Sequence, residues 1–483
     1  MNIFSLYFRI FIIFIYIVIV NNFLAIPFET INLEYDESTN NYFYKIYTNK
    51  IYVNITLGTP KQTSKLLLKM DKELFYIHKD GFYYNESSTY KNLDINSKSL
   101  ITESENKSED IFYFEFYNSY NDLSNKNNKK IYKEFPMNFM LMNYIVIWNL
   151  KNNKNPGEIG LQYINTNLND SFVFIKALKE TKEINNYIFS FIFNNKSDNN
   201  VFNNDGYLII GEELTDKEDD KQKIKYDKAA DRSGLIKWDI IFDEIYSCPQ
   251  NNITNKGIIN KNHQAQLVID IPYIIGSDEY ESFIYIIFFQ NLINKGVCFE
   301  KNITSNNELY GYYCDNSSEL FINTIFPDLY FYNREMDETF VLKKNDLFVY
   351  DINYNNKGEH YCYFLIIFKK TNYGYEKKYW TLGIPFFKKY RFSFDYDKKL
   401  IGFYNQSFYF NPDKQEDISS EKDNNTLYNV LKIIFIIVLI IVLFVLIGFI
   451  IKKSNYSKKR KKKLNELVDE DDNYEPGIST LND

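Results

Sequence analysis

Between residues 47 and 405 the apolar residues arrive in short runs rich in Val, Ile, Tyr and Phe, each closed off by polar turn residues. Examples are IYVNITLG (51–58), TSKLLLKM (63–70), IFYFEFY (111–117), YIFSFIF (187–193), GYLIIGEE (206–213) and HYCYFLIIF (360–368). β-Branched and aromatic side chains suit a pleated surface, and such brief runs cannot supply long amphipathic helices. SFIYIIFFQNLI (282–293), LFINTIFPDLYFY (320–332) and FVLKKNDLFVY (340–350) read as strands in the same way. The fold class expected is therefore mainly β with few helices. A chain of 483 residues is too long for one compact core and long enough for two lobes. Its net charge of −7 gives no electrostatic basis for binding nucleic acid.

The two ends point to a membrane. Arg9, an apolar stretch over 10–20 and the small residue Ala25 have the layout of a secretory signal peptide. Ile433–Ile451 is an uncharged apolar run of 19 residues, enough to cross a bilayer at about 1.5 Å per residue. Eight basic residues follow: Lys452, Lys453, Lys458, Lys459, Arg460, Lys461, Lys462 and Lys463. The positive-inside rule puts them in the cytosol, which makes the chain a single-pass type I membrane protein. The body then faces the cell exterior or the lumen of the secretory or endosomal system. The basic cluster suits contact with anionic inner-leaflet lipids, and a plain stop-transfer role explains it equally well.

The layout expected is a signal peptide (1–26), a short acidic lead (27–46), a first lobe (47–213), a charged connection (214–232) and a second lobe (233–407). A polar stalk (408–432), the membrane helix (433–451) and a cytoplasmic tail (452–483) follow. All four cysteines, Cys248, Cys298, Cys314 and Cys362, fall in the second half of the body. An even count in an oxidising compartment favours two disulfides. Sequons at Asn54, Asn85, Asn252, Asn302 and Asn316 fit a glycoprotein.

Several landmarks fall in one order. They are YVNITLGTPKQ (52–62), SSTY (87–90), GEIGL (157–161), DGYLIIGEE (205–213), FPDLYF (326–331) between Cys314 and Cys362, and YWTLGIPFFKKYRFSFDYDKKLIGF (379–403). In this order they resemble the pepsin-like aspartic peptidases (family A1). The resemblance spans about residues 47–405. It implies a two-lobed acid-protease fold with a cleft between the lobes and one catalytic Asp from each lobe. It also implies a Cys314–Cys362 disulfide, which leaves Cys248–Cys298 as the second pair.

The resemblance breaks where the family carries its two Asp-Thr/Ser-Gly loops. This chain has KMDKEL (69–74) and VIDIPY (268–273) there. Aligned without gaps, Lys69 and Val268 take the positions of the two aspartates, and Asp71 and Asp270 those of the glycines. Anchored instead on Asp71 and Asp270, each loop is about two residues short. The dyad chemistry needs two carboxylates about 3 Å apart, of which one stays protonated. A Lys in that place forms an ion pair instead, and Val supplies no base. The family's glycine-rich flap is replaced by FYFEFYNSYND (112–122), with Tyr117 and Tyr120 as candidate caps or plain surface aromatics. The basic pro-segment of family zymogens is replaced by the short acidic lead.

Other chemistries find no support. His78, His263 and His360 are scattered without metal-ligand spacing, and no phosphate-binding loop or nucleophile elbow is present, so neither metal nor cofactor is expected. Three readings follow. The first is a catalytically inactive ectodomain that holds a peptide or protein in the groove between its lobes. The second is a divergent membrane-tethered aspartic endopeptidase using Asp71 and Asp270. The third is a structural surface glycoprotein.

Overall fold

The computed structural model describes residues 23–32, 49–93, 105–117, 130–142, 157–162, 172–194, 205–213, 224–229, 231–232, 235–236, 238–248, 257–276, 278–303, 309–350, 361–369 and 379–404. All belong to the compact unit Met1–Pro412. Among the described residues no helix is long and apolar enough to cross a membrane. Residues 1–22, the run 433–451 expected to span a membrane and residues 452–483 lie outside them.

The described residues are mainly β, gathered in a sheet of thirteen strands and a sheet of eleven. The first sheet is built mostly from the first half of the chain. The closing hairpin joins it too, because Phe392–Asp395 pairs with Ile188–Phe193. Within each half the same motif recurs. Gly157–Gly160 lies between Gln62–Lys69, to which it runs parallel, and Phe75–His78, to which it runs antiparallel. Tyr379–Leu382 lies in the same way between Gly257–Leu267 and Ile274–Gly276.

Alternation explains the local choices. In Gln62–Lys69, Ser64, Leu66 and Leu68 are buried while Thr63 and Lys65 are not. The Gly-Thr-Pro turn begins at Gly58, whose φ of +82° suits a residue without Cβ. Its neighbour Thr59 accepts a hydrogen bond from the Ser88 amide (2.8 Å), and the Thr59 amide donates to Ser87 Oγ (3.0 Å). Two landmarks distant in sequence thus form one corner.

The aromatic residues fill the interior. Trp238, Phe189, Phe394 and Tyr396 pack where the two halves meet, with ring centroids 4.8–5.8 Å apart. Trp238 Nε1 donates to the Leu161 carbonyl at 2.7 Å, and the Tyr396 hydroxyl donates to the Gln162 carbonyl at 3.1 Å. Both bonds join the second half of the chain to the segment that ends the first motif.

Three expectations change. The run 282–293 is helical, not a strand: Asp278–Ile284, Tyr285–Phe289 and Gln290–Asn294 follow one another as helix. Tyr280, Ile284, Phe288 and Leu292 are buried at the four-residue spacing of one helix face, with Phe289 buried beside them. The charged connection contains a strand, Lys225–Lys228, paired with Leu400–Phe403. It is anchored by buried Asp227, which accepts from Asn333 Nδ2 at 2.7 Å.

The disulfides also differ. Cys298 is bonded to Cys314, not Cys314 to Cys362, and this excludes Cys248–Cys298 as well. Register supplies the reason. Cys314 sits on the middle of three adjacent strands, directly opposite Cys298 on one side and Cys362 on the other. Either neighbour is at cross-strand distance. Cys362 is left as a buried thiol, pushed up to about 12 by burial.

Candidate functional site

The loops KMDKEL (69–74) and VIDIPY (268–273) occupy matching places. Leu68 and Phe75 bracket the first and both face Ile159, and Leu267 and Ile274 bracket the second and both face Leu382. Each loop is six residues long, so Lys69 corresponds to Val268 and Asp71 to Asp270. Backbone bonds close the first loop, with Leu161 N donating to Lys69 O (2.8 Å) and Gln162 N to Lys72 O (2.8 Å). They close the second through Ile384 N to Ile271 O (2.9 Å) and Val268 N to Leu382 O (3.0 Å).

A glycine sits against each loop. A Cβ on Gly160 would lie 2.6 Å from the Lys72 carbonyl oxygen, and one on Gly383 would lie 2.0 Å from that of Tyr273. These glycines belong to GEIGL and YWTLGIPFF, so the landmark sequences are close-approach sites for the loops they face.

The side chains break the symmetry. Lys69 Nζ crosses to Asp270 Oδ2 at 2.5 Å, with 16% and 5% of the two side chains exposed. One loop supplies the cation and the other the anion. Burial works against the charge on Lys69, but the Asp270 carboxylate outweighs it by charge and hydrogen bond, and Asp71 and Glu158 add to this. The Lys69 pKa is therefore raised above its ordinary value. Asp270 Oδ1 is buried and has no hydrogen-bond partner among the described residues. Beside this pair lies Lys50, at the start of the strand Asn49–Leu57. Burial lowers its pKa, the charge on Lys69 lowers it further, and Asp270 and Asp71 offset this only in part.

The other candidates are placed as follows. Val268 is buried just past the end of the strand Gly257–Leu267. Asp71 is exposed. Tyr117 is buried on the sheet, its ring stacked on Phe23 at 6.2 Å and its hydroxyl donating to Glu115 at 3.0 Å. Tyr120 lies outside the described residues, as does His360. His78 is buried, and burial lowers its pKa against the opposing pull of Glu158 and Asp80. His263 is buried with its ring 5.1 Å from that of Tyr280. Among the described residues no three His, Cys, Asp or Glu side chains gather as a metal site.

The centre therefore brings together Lys69 and Asp270, with Asp71, Glu158 and Lys50 near enough to act on them. Sequence reasoning found the loops but missed Lys50 and Glu158. The alternation in IYVNITL is the signal that places Lys50 on the same strand. Chemically, a protonated ammonium stands on the Asp270 oxygen where a shared-proton dyad would need a second carboxyl group.

Two solved structures resemble this chain over most of its length. Basic 7S globulin from soybean has 10% identity and a TM-score of 0.52, covering 80% of this chain and 95% of that chain. Conglutin gamma, a basic 7S globulin from lupine seeds, has 12% identity and a TM-score of 0.52, with the same coverage of 80% and 95%. At such identities the likeness shows the fold alone, and that fold is the two-lobed pepsin-like one. No family model matches the chain. No curated protein matches it either.

Proposed function

We propose that this is a type I membrane-anchored pepsin-like protein without aspartic peptidase activity, which binds an extended peptide or protein segment between its lobes. The observation that carries the reading is the Lys69–Asp270 ion pair. Two carboxylates that share a proton activate a water, whereas a carboxylate neutralised by an ammonium has no proton to cycle. The glycines that fit the two loops support a reading in which the scaffold stands without the chemistry. In this reading the ectodomain is extracellular or lumenal, and the anchor is 433–451.

The test uses the full chain purified in detergent and a diverse peptide pool between about pH 3 and 7, with and without a pepstatin-type inhibitor. No inhibitor-sensitive cleavage, together with retention of a peptide subset on the immobilised protein, is the expected result. The endopeptidase reading draws on the matching places of Asp71 and Asp270 in their loops. Inhibitor-sensitive cleavage that disappears in Asp71→Ala would replace the binding proposal with it. Absence of both cleavage and peptide retention would leave the surface-glycoprotein reading.

A further inference from the structure

The strand Phe23–Asn32 begins inside the stretch that reads as a secretory leader. Phe23 and Leu24 are 0% exposed, Ala25 1% and Ile26 2%. Both edges of this first half are paired. Leu24, Ala25 and Ile26 face Ile210, Ile209 and Leu208, while Phe23 and Leu24 also face Tyr117 and Phe116. Leu24 and Ile26 point into the main core, and Phe23 and Ala25 into a smaller cluster with Tyr117, Ile192 and Ile209.

We infer that this strand is kept whole in the mature chain, so that processing of the leader falls before Phe23 and not after Ala25. The inference rests on the secretory reading above. A cut after Ala25 would remove three buried residues and strip Phe116, Tyr117 and Ile209 of their cross-strand partners. It would also put a charged α-ammonium on Ile26, in the middle of a strand whose side chains at 23–26 are buried. A cut before Phe23 avoids both, and the polar residues Asn21 and Asn22 precede that position. The smallness of Ala25, which marks it as a cleavage residue by sequence, has a second cause: it packs among Phe23, Tyr117 and Ile209.

The test reads the mature N-terminus of the full chain, made in secretory cells, by N-terminal peptide mass spectrometry. A processed first residue, after Met1 and no later than Phe23, is expected. A first residue anywhere after Phe23 overturns the inference. A retained Met1 would keep the strand and instead sink the secretory reading, so the two failures are distinguishable. A companion pair of chains, begun at Asn21 or at Ile26 behind the same foreign leader, separates cutting from folding. The Ile26 chain should reach the membrane in folded form at least about tenfold less. Equal folded yield and equal melting temperature would overturn the structural basis of the inference.

Discussion

The loops 69–74 and 268–273 have the same length, the same strand register and the same glycine contact, yet different electrostatic content. Asp71 and Asp270 occupy equivalent positions, but Asp71 is exposed while Asp270 is 4% exposed and paired to a lysine of the other loop. Backbone geometry at this centre is thus separable from its side-chain chemistry. The glycines and ladders maintain two matching loops, and the contact that crosses between them joins Lys69, not a second carboxyl group, to Asp270.

The strongest blow to the comparison is aimed at the backbone. Gly383→Ala drives a methyl into the Tyr273 and Ile271 carbonyls, at 2.0 and 2.4 Å. It should destabilise by about 4 kcal/mol or more. Gly160→Ala meets its loop at 2.6 Å and should cost less, about 2–3 kcal/mol. Urea unfolding of the two variants measures both. Equal, small losses would mean that the loops can shift away and that their matching geometry is not enforced.

Next comes the ion pair. Asp270→Ala leaves the Lys69 ammonium mostly buried without its partner and should cost about 3 kcal/mol. The combined Lys69→Met and Asp270→Leu change should recover most of that, because the desolvation of both charges disappears with them. Asp71→Ala, at the equivalent but exposed position, should stay within about 0.5 kcal/mol. A loss at Asp71 equal to that at Asp270 would make the two loops electrostatically alike after all.

The halves also differ in covalent support, since all four cysteines lie between residues 248 and 362. Cys314→Ser removes the shared partner of Cys298 and Cys362 and should cost about 2 kcal/mol. Cys298→Ser should cost less, because Cys362 lies on the opposite rung and can bond to Cys314 in its place. Disulfide mapping of that variant by mass spectrometry should find Cys314–Cys362. Two free thiols under oxidising conditions would show that register alone does not permit the exchange.

Much of the fold was legible because short β-branched runs and turn glycines report local geometry directly. GEIGL and YWTLGIPFF were legible as landmarks, and the structure sets a glycine of each against one of the two loops. The helix 278–294 was missed because Ile286 and Ile287 are apolar yet exposed, which hides the four-residue spacing of its buried face. The disulfide was missed because one cysteine between two others fits either neighbour, and only the folded arrangement chooses. At the site, Lys69 and Asp270 were each visible as departures from a dyad. Their mutual contact was not, since it spans 201 positions and depends on how the halves pack. Lys50 escaped for the same reason.

The smallest effect is a titration that distinguishes the two lysines. Lys50 has its pKa lowered from 10.5 by burial and by Lys69, so the folded state releases that proton first. Stability therefore rises with pH between the lowered value and 10.5. Lys69 has its pKa raised, so its contribution is fully present below 10.5 and is lost as pH climbs through the higher folded value. The chain should gain slightly and then lose stability across the alkaline range. Lys50→Met should remove the gain and leave the loss. Lys69→Met should remove the loss and also shrink the gain, because without the repelling charge Lys50 holds its proton to higher pH. An unchanged alkaline profile in both variants would show that neither lysine feels Asp270, and the electrostatic contrast between the loops would then have no energetic weight.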